Sequence, residues 1–273
     1  MSQSLPVHLI LQEELLRAPE IQVDLEQLSM VSADADWRQQ LAELERQLEG
    51  RVRPLVIASI EMCERILRLH PFLARGVVAD FEFCRFSTSM SAVPRRYRLN
   101  EKFLMAPFGD LPHLKEDLRS AFGDRIFIRP DDGRKSFTGF TLSLEHLDFE
   151  HSSLRQIQKV RDEELCVVSA TQEFRRSEFR CWIIDGQVAS AAPYSHYGST
   201  RANMPAAVVD LAEEIGLNVQ TKECAFVADF AVLPDGSPRL VEFNALSTSG
   251  IYLGADIARI VASMDPILFE PIH

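Results

Sequence analysis

The chain has 273 residues, of which 46% are apolar and 25% charged, enough to build a substantial core in one large or two smaller domains. Its formal net charge of -11 argues against a general nucleic-acid or anionic-membrane binder, and it contains no 18-residue apolar run of the kind that spans a bilayer. The N-terminus MSQSLPVHLILQEELL lacks a basic segment followed by a long apolar one, so a secreted or membrane-anchored product is not expected.

In chain order, PVHLILQ reads as a first strand. Residues 31–50 carry Leu41, Leu44 and Leu48 at helical spacing, with Gly50 placed to end the helix. VRPLVIAS reads as a buried strand, Glu61 to Leu69 as a helix and RGVVADFEFC as another strand, which together make a small α/β layer. Residues 86–112, rich in Ser, Pro and Arg, read as a long loop or crossover. From Leu111 the pattern changes. LPHLKEDLRSAF predicts a helix, DRIFIRP a strand ended by Pro130, DDGRKSFTGF a glycine-punctuated loop, and HSSLRQIQKVRDE a helix. LCVVS, EFRCWIID and QVASAAPY predict three strands, the last two joined at Asp185-Gly186. NMPAAVVDLAEEIG predicts a helix with Pro205 in its first turn and Gly216 at its end. ECAFVADFAVL and RLVEFN predict a hairpin through PDGSP, and GADIARIVASM a closing helix.

Five cysteines (Cys63, Cys84, Cys166, Cys181 and Cys224) lack paired spacing, and several lie in apolar runs. Buried free thiols in a cytoplasmic protein fit better than a disulfide framework or a zinc site. No Ser/His/Asp triad can be assembled. His151 and His196 sit in polar surroundings without a motif, and the seven histidines show no metal-ligand spacing.

The last hairpin carries the chemistry. A two-residue turn at Asp235-Gly236 places Asp229 across from Glu242, with Leu240, Glu242 and Asn244 on one face and Val241 and Phe243 on the other. Asp229 lies in a nearly unbroken apolar run, where an unpaired charge is costly. Two facing carboxylates repel unless a cation intervenes. A hard divalent metal such as Mg2+ meets that need; arginines from elsewhere in the fold, or a solvated edge, are the alternatives. Upstream, Gly133, Arg134, Lys135, Ser136, Thr138 and Gly139 form either a phosphate cradle or an exposed, solvated loop. On EFRCWIID, Glu178 and Arg180 share a face. Arg180, set opposite the small Ala191, either projects into a cleft to grip oxyanions or pairs with Glu178 on the surface.

Taken in order, these residues resemble the ATP-grasp superfamily, and most closely a small uncharacterised clade from bacteria and phages. The resemblance rests on Arg129, Pro130, Lys135, Phe137, Thr138 and Gly139; Val168 and Ser169; Glu178, Phe179 and Arg180; Asp229; Glu242 and Asn244; Ser249, Gly250 and Tyr252. It covers about residues 115–262 well and the N-terminal part only loosely, through the strand ending at Ser59 and the segment Arg98-Leu99-Asn100.

The resemblance implies an α+β (α/β) ATP-grasp fold. Residues 1–112 would be a pre-grasp region, and residues 113–273 two subdomains clasping ATP. Asp229, Glu242 and Asn244 would hold Mg2+. Lys135 would contact the phosphates, with Arg129 as a further basic wall, and Arg180 would stabilise the transferred phosphoryl. The backbone of Val167–Thr171, including Val168 and Ser169, would read the adenine edge, and Glu173 or Glu178 the ribose. The upstream phosphate-binding lysine of many members has only Lys102 as a counterpart here, so Arg98 or Arg129 would serve instead. The implied activity is an ATP-dependent carboxylate-amine ligase acting on small-molecule or peptide substrates. A nucleotide-binding module without ligation and a small-molecule kinase are the alternatives. The sequence does not define an oligomeric state.

Overall fold

The computed structural model describes residues 5–33, 36–173, 178–194, 204–219 and 221–269. Its first sheet is parallel, in the order β2-β1-β3, from β1 (Val7–Gln12), β2 (Leu28–Val31) and β3 (Arg53–Ile57). Strands β1 and β3 are buried on both faces, which is why they read as apolar runs rather than as alternation. Ile10 and Val56 face α1 (Trp37–Leu48), α2 (Ile60–Leu69) and α3 (Pro71–Ala74). Leu9, Leu11, Leu55 and Ile57 face the C-terminal part of the chain, against Trp182, Val227 and Leu246. Both long helices start at side-chain caps. Asp36 accepts from the Gln39 amide at 3.4 Å, and Ser59 from the Met62 amide at 3.3 Å.

Two four-stranded antiparallel sheets follow. In the order β4-β7-β5-β6, one is built from β4 (Phe103–Pro107), β5 (Arg125–Pro130), β6 (Phe140–Ser143) and β7 (Leu165–Ala170). It is preceded by the short α4 (Phe86–Ser91) and packs against α5 (Lys115–Phe122) and α6 (Leu147–Ile157). The other, β11-β10-β8-β9, contains β8 (Glu178–Ile184), β9 (Gln187–Tyr194), β10 (Ala225–Val232) and β11 (Pro238–Asn244). One of its faces, with Phe179, Cys181, Ile183, Phe230 and Phe243, packs under α7 (Ala206–Asn218) and against Phe83 and Phe86. On the opposite face Trp182 and Val227 meet the N-terminal sheet and α8 (Ile257–Met264). Among the described residues no helix is long and apolar enough to cross a membrane.

Several expectations change. RGVVADFEFC is not a strand. Gly76 lies beneath Pro54, where a Cβ would come within 2.5 Å of the Pro54 carbonyl oxygen, and the Asp80 carboxylate turns the chain by accepting from the Phe83 amide at 2.9 Å. The apolar residues of this stretch plug the core from a turn instead. Residues 86–112 are not a structureless crossover: they hold α4 and β4, and β4 pairs with β7. Strands β2 and β6, each of four residues, had no signal long enough to predict them. His151 lies in α6, buried, stacked on Phe108 and bonded to its carbonyl at 2.9 Å. His196 is outside the described residues. All five cysteines are free, four buried as expected and Cys224 exposed.

Gly216 does not end its helix. It sits within α7 because a Cβ there would lie 2.7 Å from the Gly186 carbonyl oxygen and 2.8 Å from Ile183 Cγ2. The turn at Asp185-Gly186, with φ of 48° and 75°, is therefore packed directly against the helix. Gly216→Ala is expected to destabilise the protein by about 1–3 kcal/mol despite its better helix propensity, because backbone has to move. Urea unfolding checks this; an unchanged or raised midpoint would contradict the close approach.

Candidate active site at the acidic strand pair

Asp229 does face Glu242, although the turn is not the one expected. The hairpin closes through three residues, Pro234-Asp235-Gly236, with Leu233 donating to the Ser237 carbonyl at 2.9 Å and Gly236 at φ 89°. That loop alone would set Asp229 opposite Val241. A bulge then makes Val241 the extra residue, so that Phe230 pairs with Leu240 but Asp229 pairs with Glu242. The bulge also turns Leu240 to the core face beside Phe230 and Phe243, and it does not share the face of Glu242. A second bulge shifts β9, so Arg180 faces Ala192 rather than Ala191.

One row across the sheet thus reads Ala192, Arg180, Asp229, Glu242. Asp229 is 1% exposed and Arg180 4%. The Arg180 fork donates from Nε and Nη2 to the two Asp229 oxygens, both at 2.8 Å, while Nη1 donates to the Gly250 carbonyl at 3.1 Å. Tyr194 and Tyr252 place their rings 4.7 and 5.1 Å from the guanidinium. Burial by itself disfavours the Arg180 charge, and Asp229 outweighs it, so the guanidinium is held more firmly charged than in water. Arg180 therefore pairs with neither Glu178 nor open cleft, and Asp229 is neutralised by an arginine 49 residues away.

Glu242 is held from the other sheet. Arg129 on β5 donates from Nη2 to Oε2 at 2.5 Å, and Lys135 in the following loop donates from Nζ to Oε1. Burial raises the Glu242 carboxyl, but Lys135 and Arg129 outweigh it and hold the group well below the usual carboxylate range. Asn244 joins the two halves, its amide donating to Asp229 Oδ2 at 2.9 Å and Glu242 Oε1 at 3.3 Å. Of the alternatives open from the sequence, basic side chains brought in from elsewhere in the fold are present: Arg180, Arg129 and Lys135 converge on the two carboxylates. Among the described residues no group of three His, Cys, Asp or Glu side chains is placed to hold a metal.

The loop carrying Lys135 is anchored rather than free. Asp131, 1% exposed, accepts from Arg85 and from the Ser87 amide and hydroxyl. Arg134 is engaged by Glu64 at 2.9 Å and Ser136 by Glu164 at 2.5 Å, which leaves Lys135, at φ 54°, turned inward. Arg85 and Asp131, 46 residues apart, were missed because nothing in either local sequence announces the pair. Arg98 spends its guanidinium on the Val93 carbonyl, 2.8 Å from Nε, and Lys102 is exposed, so Arg129 is the basic group at the cluster.

Val168 and Ser169 lie in β7, paired on one side with β4 and on the other with β5. A central strand spends its amides and carbonyls on the ladders, so neither residue has backbone left to read a ligand edge. Backbone free of the ladder begins at Thr171 and includes the exposed Glu173. Glu178, two residues along β8 from Arg180 and on the same face, in a row with Tyr194, Ala231 and Arg239, is pushed up to about 7, by burial first and then by Asp229 and Glu242. A raised folded-state value means the folded protein resists ionisation that the unfolded chain accepts. Stability is therefore full below about pH 4.5 and falls as pH rises towards 7. Glu178→Gln is expected to raise stability by about 1–3 kcal/mol at pH 8 and to leave it unchanged at pH 4. Thermal unfolding at the two pH values decides it, and equal effects at both would exclude the assignment.

A mixed α/β layer followed by two antiparallel sheets, with an acidic strand pair in one and basic residues reaching it from the other, is the ATP-grasp fold. The model of an ATP-grasp domain family, the third family of its clade, matches residues 86–264, well over half of the chain, and the protein belongs to that family. Solved structures bear out the fold. The D-alanine-D-alanine ligase from Coxiella burnetii superposes with a TM-score of 0.55 at 12% identity, covering 97% of this chain and 94% of that one. For the RimK domain ATP-grasp protein from Sphaerobacter thermophilus DSM 20745 the values are 0.52, 12%, 96% and 100%, and for the D-cycloserine synthetase DcsG 0.51, 14%, 96% and 99%. A comparison with curated proteins finds no match.

Proposed function

We propose that the protein is an ATP-dependent, Mg2+-requiring ligase that activates a carboxylate as an acyl-phosphate for attack by an amine. The observation that carries this reading is the convergence of Arg129 and Lys135 from one sheet on Glu242 in the other, within a chain of the ATP-grasp family. The donor set fits a hard cation in its chemistry. A carboxylate offers about four lone-pair sites. Asp229 accepts three hydrogen bonds, from Arg180 twice and Asn244, and Glu242 accepts three, from Arg129, Lys135 and Asn244. Transfer of Lys135 from Glu242 to a phosphate opens further sites on the more accessible of the two carboxylates.

In this reading Asp229, Glu242 and Asn244 hold Mg2+, which when bound neutralises phosphate charge. Lys135 and Arg129 bind phosphate oxygens. Arg180, with its donors committed, acts as a positioning residue for Asp229 rather than as a direct phosphoryl contact. Backbone from Thr171 onward meets the adenine, and Glu173 or Glu178 the ribose. Residues 1–112 serve as the pre-grasp region and 113–273 as the nucleotide-binding and catalytic region of an enzyme working on small or peptide substrates in the cytoplasm. One observation favours a second reading, a nucleotide-binding module without ligation: both Asp229 oxygens are already taken by Arg180.

Mg-ATP is expected to raise the melting temperature only when both components are present, and the increment is expected to vanish in Glu242→Ala. Absence of any increment in the wild type would remove both readings. Release of ADP and phosphate that requires an added carboxylate and amine identifies a ligase. Saturable binding without such release across a broad substrate panel leaves the module.

A further inference from the structure

Pro130 ends β5, and the turn from Asp131 to Lys135 carries the lysine amine to Glu242. Lys135 sits there at φ 54°, in the left-handed region where a Cβ crowds the following carbonyl. A residue persists in such a conformation only where its neighbours over-determine it. Within the turn, the Asp132 carboxylate accepts from the Arg134 amide at 3.1 Å and the Asp132 carbonyl from the Lys135 amide at 2.9 Å. Gly133 is pressed on Phe81, where a Cβ would come within 2.2 Å of the Phe81 carbonyl oxygen, and the Arg134 guanidinium lies 4.7 Å from the centroid of the Phe81 ring.

Asp131 fixes the start of this turn. Its Oδ1 accepts from the Ser87 amide at 2.7 Å, and its Oδ2 from Arg85 Nε and Nη2 at 3.1 and 2.8 Å and from the Ser87 hydroxyl at 3.1 Å. Those donors fill the sites of a carboxylate, about four in all. Its amide donates to the Leu165 carbonyl at 2.9 Å and its carbonyl accepts from the Phe86 amide at 3.0 Å, so every polar group of the residue is committed. A buried ion pair contributes little net stability, because desolvation of both charges offsets most of their attraction. What it can supply is a single geometry: the Arg85 fork and the two Ser87 donors fit the carboxylate in one orientation.

We propose that Asp131, braced by Arg85 and Ser87, is the positioning residue for Lys135. It touches no substrate and acts by fixing the backbone from which the lysine reaches into the site. A lysine on a loose loop loses freedom when it grips a phosphate, and that loss subtracts from affinity; a turn already held in place avoids it. The bracing residues stand in the stretch before β4, so the basic loop of one sheet is set by a segment outside that sheet. The catalytic meaning of the assignment rests on the reading of Lys135 as a phosphate contact, whereas the placement of the amine does not.

The chain has five lysines, Lys102, Lys115, Lys135, Lys159 and Lys222, so 13C NMR after reductive dimethylation, which keeps the charge, gives one signal for each beside that of the N-terminal amine. The Lys135 signal is expected to stand apart, to be absent in Lys135→Arg and to collapse onto the others in Glu242→Gln. Asp131→Asn and Arg85→Met are each expected to move it the same way while the other four stay in place. Arg85→Lys, which keeps a charge on Asp131, should move it part of the way, and Arg155→Met, which cuts an exposed pair with Asp162, not at all. Arg85 is 38% exposed, so its variants carry the test if Asp131→Asn does not fold. Mg-ATP affinity is expected to fall about 5–30-fold in Asp131→Asn, but less than about twofold when the same change is made in Lys135→Met. A Lys135 signal that stays in place in both variants, or an affinity loss of equal size in the two backgrounds, would overturn the assignment. A moved signal in a protein that binds no Mg-ATP removes the ligase and leaves the positioning; Mg-ATP binding with an unmoved signal does the reverse.

Discussion

Asp229→Ala is expected to lower the melting temperature by about 6–20 °C, the largest stability loss at the site. The substitution strands Arg180, 4% exposed, with its charge intact and two donors unmatched. Removing one member of a buried ion pair costs about 3–5 kcal/mol, and in a chain of this size each kcal/mol moves the midpoint by about 2–4 °C. Stacking on Tyr194 and Tyr252 and the bond to the Gly250 carbonyl offset part of this, but none of them carries a negative charge to balance the guanidinium. The damage should be largely repaired by also replacing Arg180 with Met, because the penalty belongs to the orphaned charge rather than to the lost contact. Calorimetry on the single and double variants checks both statements. A single-variant drop below about 2 °C, or a double variant no better than the single, would show that Arg180 and Asp229 are not paired in the folded protein.

Lys135→Met should have the largest effect on ligand binding, and in two opposite directions. In the structure Lys135 donates to Glu242, so it competes with any cation drawn to that carboxylate. Removing it is expected to let Mn2+ alone stabilise the variant more than it stabilises the wild type. The same change removes a charge-assisted hydrogen bond to phosphate, worth about 1.5–3 kcal/mol, so affinity for the nucleotide should fall about 10–150-fold. A competing cation and a phosphate ligand in one side chain predict this split; a lysine that only braces the two sheets predicts neither half. Titrating Mn2+ and Mg-ATP separately into both proteins, with calorimetric detection, tells them apart. Unchanged nucleotide affinity would rule out the phosphate role.

The acidic hairpin shows how a correct placement can come from an incomplete argument. Asp229 opposite Glu242 followed from a two-residue turn, yet the turn has three residues and the register is restored by the bulge at Val241. Turn chemistry is local and readable in Asp-Gly, but a bulge depends on how the strand is packed, and so Leu240 ends on the other face from the one alternation assigns. Val168 and Ser169 illustrate the reverse case. Their order along the chain matches the family pattern, whereas their place in the middle of a sheet depends on β4, which lay in a stretch with no periodic signal.

By itself the sequence determined most of the strands and helices, the acidic hairpin and the basic loop, because these follow from apolar period, caps and turn residues within a few positions of each other. It also carried the ordered residues that mark the family. Only the tertiary structure decided which charge meets which: Arg180 with Asp229 across 49 residues, Arg129 and Lys135 with Glu242 across 113 and 107. Ion pairing leaves no period in a chain. A carboxylate in an apolar strand announces that it needs a cation, and the folding of distant strands against one another selects which one arrives.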